Sequence, residues 1–236
     1  MRLSFQFRLI PFIATIVVVL VGLSLGNWQT RRAEEKLSLA REQALQTAQP
    51  PLELQLLAGD EIPANFRTVM MTGTFLTQWP IYLDNRPYQG QAGFYLLMPF
   101  KLNGSGKIIL VMRGWLPRDT QDRQKLPATR TPQGLVKLEG VVRGSVSHVM
   151  QLGSEPALQA GVIRQNLEVA ELSKASGLQF EKFIIEQTSE TSDGLIRDWP
   201  QPSVGSDKHR GYAFQWYGLA VTALLFFIVT GLKRAK

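Results

Sequence analysis

A histidine and a row of aromatic residues precede the last apolar stretch of the chain, in KHRGYAFQWYGLA (residues 208–220). On an α-helix His209, Tyr212 and Trp216 share one face, because steps of three, four and seven residues return to the same side. Imidazole is a titratable group that also binds metals, and aromatic rings suit an apolar ligand or the membrane interface. Spacing alone leaves two interpretations open: a ligand site, or an interfacial aromatic belt that includes a histidine.

A second candidate lies in LGNWQTRRAEEK (residues 25–36), where Trp28, Arg32 and Lys36 recur at four-residue steps. A helix would place this aromatic ring and these two cations near one face. They could dock an anionic, partly apolar ligand or a membrane partner. Spacing alone favours ordinary interfacial anchoring, with the indole among the lipid head groups and the cations on lipid phosphates.

Two arginines are the candidates for chemistry in the middle of the chain: Arg86 in LDNRPYQGQAGF and Arg113 in VMRGWLP. Neither has a general acid or base at a spacing that defines a catalytic constellation. Turn chemistry and a strand-end arginine paired with a carboxylate are the simpler interpretation. Alternation along the strand predicts that Arg113 and Trp115 point the same way and serve folding. His148 is predicted to lie at the surface or at a strand end.

Composition excludes several classes of function. The chain has 236 residues and no cysteine, which excludes disulfides, thiolate metal sites and a cysteine nucleophile. Its two histidines, His148 and His209, argue against a multi-histidine metal site. The sequence contains no GxSxG, GxGxxG, P-loop, HExxH or EF-hand motif. We therefore assign no catalytic residue, although a Ser-His-Asp arrangement stays possible.

The net charge of +7 is concentrated at the two ends of the chain. Residues 27–207 contain 19 Lys and Arg against 19 Asp and Glu. The remaining cations are Arg2, Arg8, Lys208, Arg210, Lys233, Arg234 and Lys236. A nucleic-acid-binding protein needs its cations on the folded domain, so nucleic acid is excluded as a partner. Cations that flank apolar segments instead predict contact with anionic membrane lipid.

Two charge-free apolar segments predict transmembrane helices at residues 9–26 and 211–232. The first is about 27 Å long at 1.5 Å per residue, close to the thickness of a bilayer's hydrocarbon core. A cleaved signal peptide is the alternative, but the segment is longer than the apolar part of most signal peptides, so a retained anchor is favoured. Two spans place both termini on one side, which the basic tail predicts to be cytoplasmic. Residues 27–210 would then form an extracytoplasmic domain.

The fold class is predicted to be α+β, with two transmembrane helices flanking an antiparallel β-rich domain. A helix leaves the first span and ends before Pro50. Five segments predict strands: NFRTVMMTGTFL, GFYLLMPFKL, KIILVMRGW, GLVKLEGVVRG and EKFIIEQ. The stretch Asn103-Gly104-Ser105-Gly106 predicts a hairpin loop. NLEVAELSKASG predicts a short helix with Asn166 as its N-cap and Gly177 as its stop.

Five motifs, in order along the chain, resemble those of the SURF1 family of cytochrome c oxidase assembly proteins. They are LGNWQTRRAEEK, VMMTGTF, LDNR with GQAGF, VMRGWLP and HRGYAFQWYGLA. The matching residues are Leu25, Gly26, Trp28, Gln29, Arg32, Lys36, Gly73, Phe75, Asn85, Arg86, Gly93, Arg113, Gly114, Trp115, Pro117, His209, Tyr212, Ala213, Gln215 and Trp216. The resemblance implies two membrane helices around an intermembrane-space or periplasmic domain.

The resemblance also implies a function in the assembly of haem–copper oxidases, with haem a handled on its way into the catalytic subunit. The family is not established as an enzyme, so the resemblance implies a protein that is not an enzyme. The histidine of the family's last motif has been tied to haem binding, and His209 is the matching position. We therefore expect His209 to bind the iron of haem a, with an apolar aromatic surround from Tyr212 and Trp216. Trp28, with Arg32 and Lys36 for the propionates, would complete the site from the first helix.

The implied partners are membrane lipid, the catalytic subunit of a haem–copper oxidase and other oxidase assembly factors. The first apolar segment begins near Leu9 with no mitochondrial presequence before it, which predicts a bacterial inner-membrane protein with its central domain in the periplasm. An alternative of a different class is a membrane-tethered enzyme. Its site would lie on the extracytoplasmic domain around Arg86 and Arg113.

Overall fold

The computed structural model describes residues 3–57, 61–122, 124–151, 153–200 and 205–234. Arg2 and Lys236, two of the cations predicted to flank the spans, lie outside these ranges. In chain order the elements are β1 (Leu3–Phe5), α1 (Leu9–Thr47), β2 (Leu52–Glu53), a 3-10 helix (Leu54–Leu56), β3 (Thr68–Phe75), β4 (Ile81–Leu83), β5 (Gly93–Leu102), β6 (Ile108–Pro117), β7 (Val136–Arg143), β8 (Ile163–Arg164), α2 (Val169–Ser176), β9 (Phe180–Gln187), α3 (Ser206–Gly231) and β10 (Leu232–Arg234). The chain divides into a terminal unit, residues 1–42 with 201–236, and a central unit, residues 43–200.

Two helices are long and apolar enough to cross a membrane: α1, with 39 residues, and α3, with 26. The most apolar 18-residue window of each is only 11% buried within the protein. The core helix of a soluble protein would be mostly covered, so these helices fit a membrane protein. Helix α1 continues without a break past Gly26 and ends at Thr47, ahead of Pro50. This confirms the predicted helix that leaves the first span.

The central unit is built around a five-stranded barrel. Strand β3 pairs with β7, β7 with β9, β9 with β6, β6 with β5, and β5 returns to β3. These pairings are antiparallel except for β6 with β9, which is parallel. All five predicted strands are present, and Asn103-Gly104-Ser105-Gly106 forms the predicted turn between β5 and β6. The predicted α+β class is confirmed, with a sheet that is mixed where an antiparallel one was expected.

The barrel closes around an apolar interior to which all five strands contribute. Its buried side chains include Val69, Met71, Met98, Phe100, Ile109, Val111, Leu138, Val142, Phe183 and Ile185. Closure between β3 and β5 requires glycine at position 73, because a Cβ there would overlap Lys101 O and the Phe100 ring. A second core lies on the outer face of β4, β5, β6 and β9, where Leu172 of α2 and Trp199 cover it.

The prediction that Arg113 and Trp115 point the same way is wrong. Leu96 pairs with Gly114 and Leu97 with Met112, so Arg113 is an extra residue with no partner on β5. Such a bulge reverses the alternation of side chains that follow it. The Arg113 guanidinium lies 4.7 Å from the centre of the Phe75 ring, on the barrel-interior face. Trp115 instead joins the second core.

The short predicted helix is present as α2, with one correction at its start. Gly177 ends it with a φ of 72°, the left-handed conformation that favours glycine, as predicted. The residue that precedes the helix is Glu168, and Asn166 is not the cap. The Asn166 side chain instead bonds to both backbone groups of Val149, at 2.8 and 3.0 Å. It therefore joins the connection after β7 to the connection before α2.

Candidate functional site

Within the terminal unit α1 and α3 lie side by side through small residues. A Cβ built on Gly22 would lie 2.9 Å from Trp216 O and 3.0 Å from the Ala220 Cβ, and one on Gly26 would overlap the Tyr217 ring. Contacts this close require glycine on the first helix and are typical of helix pairs in membranes. The two helices that carry the predicted site residues are therefore in direct contact.

We call the line along which α1 and α3 contact each other the helix seam. Its residues recur along each helix at alternating steps of three and four. On α1 the buried or half-buried residues of the seam are Phe12, Thr15, Val19, Gly22, Gly26, Gln29, Ala33 and Lys36. On α3 they are Ser206, His209, Ala213, Trp216, Ala220, Ala223 and Phe227. Alternating three- and four-residue steps are the pattern of a coiled coil. The contacts run in opposite directions along the two helices, so the pair is antiparallel.

The two ends of the seam differ in chemistry. At one end Phe227 lies 5.7 Å from both Phe5 and Phe12, ring centre to ring centre, and β1 pairs with β10 beside them. Nearer the other end the contacts are polar: Tyr217 OH donates to Asn27 Oδ1 at 2.7 Å and lies 3.4 Å from Thr30 Oγ1. An apolar end and a polar end fix the register of the pair, because a slip would bury the polar groups without partners.

His209 is half-buried on the side of α3 that faces α1, which spares a histidine the high cost of exposure to lipid. Its Nδ1 lies 2.7 Å from Gln29 Oε1. An amide oxygen only accepts hydrogen bonds, so the imidazole donates from Nδ1 and its Nε2 carries the lone pair. This is the tautomer that can bind a metal through Nε2.

His209, Trp216 and Lys36 lie on the helix seam, and the other predicted site residues lie to one side of it. At about 100° per residue, Trp216 and Tyr212 lie successively farther round α3 from the seam, on the side of His209. On α1 the order from the seam is Gln29, Lys36, Arg32 and then Trp28. Because the helices are antiparallel and Gln29 contacts His209, these two sides are the same side of the pair. We call this surface the aromatic flank.

Residues of the aromatic flank differ in their exposure and partners. Trp28 and Tyr212 are 48% and 53% exposed, whereas Trp216, Lys36 and His209 are half-buried. Arg32 is exposed and its Nη1 donates to Glu35 Oε2 at 2.7 Å, one turn along the same helix. The flank thus combines one imidazole and three large aromatic rings with two cations.

Within the described ranges no group of three or more histidines and carboxylates could hold a metal ion by itself. A metal on the aromatic flank would take one protein nitrogen, from His209, and its other ligands from elsewhere. A porphyrin supplies four nitrogens to its own iron, so haem fits this donor set. The aromatic rings of the aromatic flank also suit the flat porphyrin, and the cations of the flank suit the porphyrin's carboxylates.

Arg113, a candidate of the alternative enzyme hypothesis, is fully buried in an ion cluster of the central unit. Its Nη2 donates to Asp193 Oδ2 at 2.7 Å, and Arg197 donates to the same oxygen at 2.6 Å. Burial lowers the pKa of Arg113, an effect that Asp193 opposes. Burial alone would raise the pKa of Asp193, but hydrogen bonds from Arg197 and Thr191 outweigh it and lower that pKa.

Arg86 is also buried, with 4% of its surface exposed. Its Nη2 donates to the carbonyl oxygens of Ser147 and Gln165, at 2.8 and 3.1 Å. Its own carbonyl accepts from Trp115 Nε1 at 2.6 Å. Both arginines are thus held in the interior and cannot reach a substrate, which argues against the enzyme hypothesis. The expected carboxylate partner is found for Arg113 but not among the hydrogen bonds of Arg86.

His148 lies at the surface, as predicted, with its Nε2 3.0 Å from Glu168 Oε1 and more than half of its side chain exposed. The sequence interpretation missed the contact of Gln29 with His209, although Gln29 was part of a matching motif. It also missed Asp193 and Arg197. One signal for the helix pair was present, since GLSLG (residues 22–26) is a GxxxG motif of the kind that lets helices approach closely.

The protein has a β-barrel domain and two helices that could span a membrane, one before the domain and one after it in the chain. The chain matches the model of the SURF1 family over residues 16–221. It is 32% identical to the SURF1-like protein of Rickettsia bellii over 232 residues, which covers 93% of this chain and 88% of that protein. For the SURF1-like protein of Caenorhabditis elegans the identity is 27%, with 90% and 71% covered. This chain belongs to the SURF1 family.

One relative carries a name that states a function. The cytochrome oxidase assembly protein SHY1 of Saccharomyces cerevisiae is 26% identical over 118 residues, which cover 48% of this chain and 30% of the yeast protein.

Proposed function

We propose that this protein is an assembly factor for a haem–copper oxidase that binds haem a and aids its insertion into the catalytic subunit. The observation that carries the proposal is the aromatic flank, where His209 is held by Gln29 at 2.7 Å beside aromatic rings. Family membership and the name of the yeast relative support the assembly function.

His209 is proposed to hold the haem iron through Nε2. A neutral imidazole nitrogen is a common ligand of haem iron, so His209 could hold the group if it is bound. Tyr212 and Trp216 would cover the porphyrin from α3, and Trp28 would do so from α1. Lys36 and Arg32 would attract the propionates, Lys36 from beside the seam and Arg32 from farther round the helix. These groups bind and orient the ligand, and none of them needs to transfer a proton.

The proposed location is the bacterial inner membrane, with the barrel domain in the periplasm. Two apolar helices whose side chains are mostly uncovered within the protein support insertion into lipid. Lys208 and Arg210, which come just before the apolar part of α3, would lie at the periplasmic head groups. The catalytic subunit of the oxidase and other assembly factors are the proposed partners.

A test of haem binding compares His209→Ala with His148→Ala. The full-length protein is purified in detergent from cells that make haem a, and its Soret absorbance per protein is measured. His209→Ala should abolish haem copurification without lowering the amount of protein in the membrane, because the iron loses its proposed ligand. His148→Ala should change nothing, because His148 lies at the surface against Glu168. Retention of haem with an unchanged spectrum in His209→Ala would overturn the proposal.

A further inference from the structure

Gln29 engages the nitrogen of His209 that would not bind iron. Its Oε1 accepts from Nδ1 at 2.7 Å, and both side chains are half-buried on the helix seam. In metal sites the second ring nitrogen of a histidine ligand usually donates to an oxygen, which fixes the tautomer and the ring orientation and makes the other nitrogen more basic.

We infer that Gln29 is the positioning residue of the haem ligand His209. This inference rests on the proposed function, since it assumes that the imidazole binds haem iron. Gln29 lies on α1 and His209 on α3, so the bond forms only when the two helices pair in this register. The ligand is therefore prepared by the first helix although it belongs to the last.

An amide suits this position better than a carboxylate in a protein that must also release its ligand. A carboxylate acceptor would give the imidazole more anionic character and bind ferric iron more tightly. A neutral oxygen still fixes the tautomer but strengthens the iron–nitrogen bond less. It also avoids an unpaired charge near the membrane.

The test is a titration of the full-length apo-protein with haemin, followed by the Soret absorbance and the midpoint potential of the bound haem. The variants are Gln29→Ala, Gln29→Glu and His209→Ala. Thr30→Ala is the matched control, because Thr30 contacts Tyr217 in the same helix pair at 3.4 Å but does not touch the histidine.

Gln29→Ala should weaken haemin binding about 10- to 100-fold and raise the midpoint potential. Gln29→Glu should bind haemin at least as tightly as the wild type does, because it keeps an acceptor for Nδ1. It should lower the midpoint potential below that of the wild type, because a negative acceptor stabilises ferric iron. Thr30→Ala should leave both quantities unchanged. If Gln29→Ala does not accumulate in the membrane, the potential of Gln29→Glu decides the matter.

Two results separate the inference from the function on which it rests. If His209→Ala binds haemin as the wild type does, the proposed function fails and the role of Gln29 fails with it. If His209→Ala loses haemin but the Gln29 variants keep wild-type affinity and potential, only the inference is overturned. The inference is also overturned, with the proposed function intact, if Gln29→Glu does not lower the midpoint potential of the bound haem.

Discussion

Asp193 is the residue on which the loop after β9 depends. Its fully buried carboxylate accepts from Arg113 and Arg197 and also from Thr191 Oγ1 at 2.8 Å. Burying two guanidinium groups away from water is costly unless an anion compensates their charge. The Asp193 carboxylate compensates the charge of both arginines. It thereby attaches the loop to the strand that carries Arg113.

Asp193→Asn should destabilise the central unit by ~3–5 kcal/mol, because it leaves the buried Arg113 without an anion and Arg197 with only the exposed Glu190. Thermal unfolding of the full-length protein, followed by tryptophan fluorescence, measures the change. Asp119→Asn is the control: Asp119 pairs with the exposed Lys125 and should change stability little. Equal melting temperatures for Asp193→Asn and the wild type would contradict this account.

The same carboxylate predicts a dependence of stability on pH. The pKa of Asp193 is lowered in the folded state, so its contribution is complete above the ordinary aspartate value of about 4. The contribution is lost as the pH falls through the lowered value. Wild-type protein should therefore lose stability on acidification below about pH 4, and Asp193→Asn should lack this part of the loss in melting curves measured from pH 6 to pH 2.5. A parallel decline in both proteins would show that other carboxylates are responsible.

At the scale of single residues, the sequence predicts which type of group a side chain binds but not which residue supplies that group. A strand-end arginine paired with a carboxylate was expected for Arg113, and it is present. Nothing in the sequence identifies Asp193, which lies 80 residues farther along the chain. The direction of Arg113 was predicted wrongly because a bulge inserts one residue. That bulge depends on Gly114, whose φ of 155° is open to glycine and strained for other residues.

Elements were predicted more securely than contacts between them. The five strands and the stop of α2 at Gly177 follow from β-branched patterning and from glycine, which are local signals. The parallel pairing of β6 with β9 is not local, because it depends on where the chain returns after α2. The helix pair was assumed for the proposed site, and the structure provides it.

The helix seam can be tested directly because the chain has no cysteine. A double variant, Gly22→Cys with Ala220→Cys, should form a disulfide on oxidation. The two Cβ positions are 3.0 Å apart, so a separation of the helices by about 1 Å brings them to the ordinary disulfide distance of about 3.8 Å. Proteolysis of the central unit followed by non-reducing electrophoresis shows whether the helices stay joined.

Adding Gly26→Leu should reduce this cross-link strongly, because a side chain at position 26 would overlap the Tyr217 ring. Gly218→Leu is the matched control on α3, since a Cβ there meets no atom of the described residues within 4 Å. An equal cross-link yield in the two triple variants would show that close packing at Gly26 does not hold the helices together.

For the whole molecule the testable property is topology. Reporter fusions after Gly59, which lies outside the described residues, and after Gly205 should be extracytoplasmic, and one after Lys236 cytoplasmic. Two apolar helices and a basic C-terminal tail give this expectation. Alkaline phosphatase and green fluorescent protein activities measure it. N-terminal sequencing is the complementary measurement, since a mature protein that begins at Asn27 would lack the apolar half of α1 and would contradict the two-helix arrangement.

The ribbon of β1 and β10 has a consequence for biosynthesis. Its two strands pair Leu3 with Arg234, so β1 has no strand partner until α3 and β10 have been synthesised. Every described strand and helix of the central unit ends by Gln187, and Trp199, which covers its second core, also precedes α3. The terminal unit can close only after β10 has been added, and contacts this distant in sequence form slowly. A chain cut short before α3 would therefore leave the glycine face of α1 uncovered and could not form the site proposed above on the two helices.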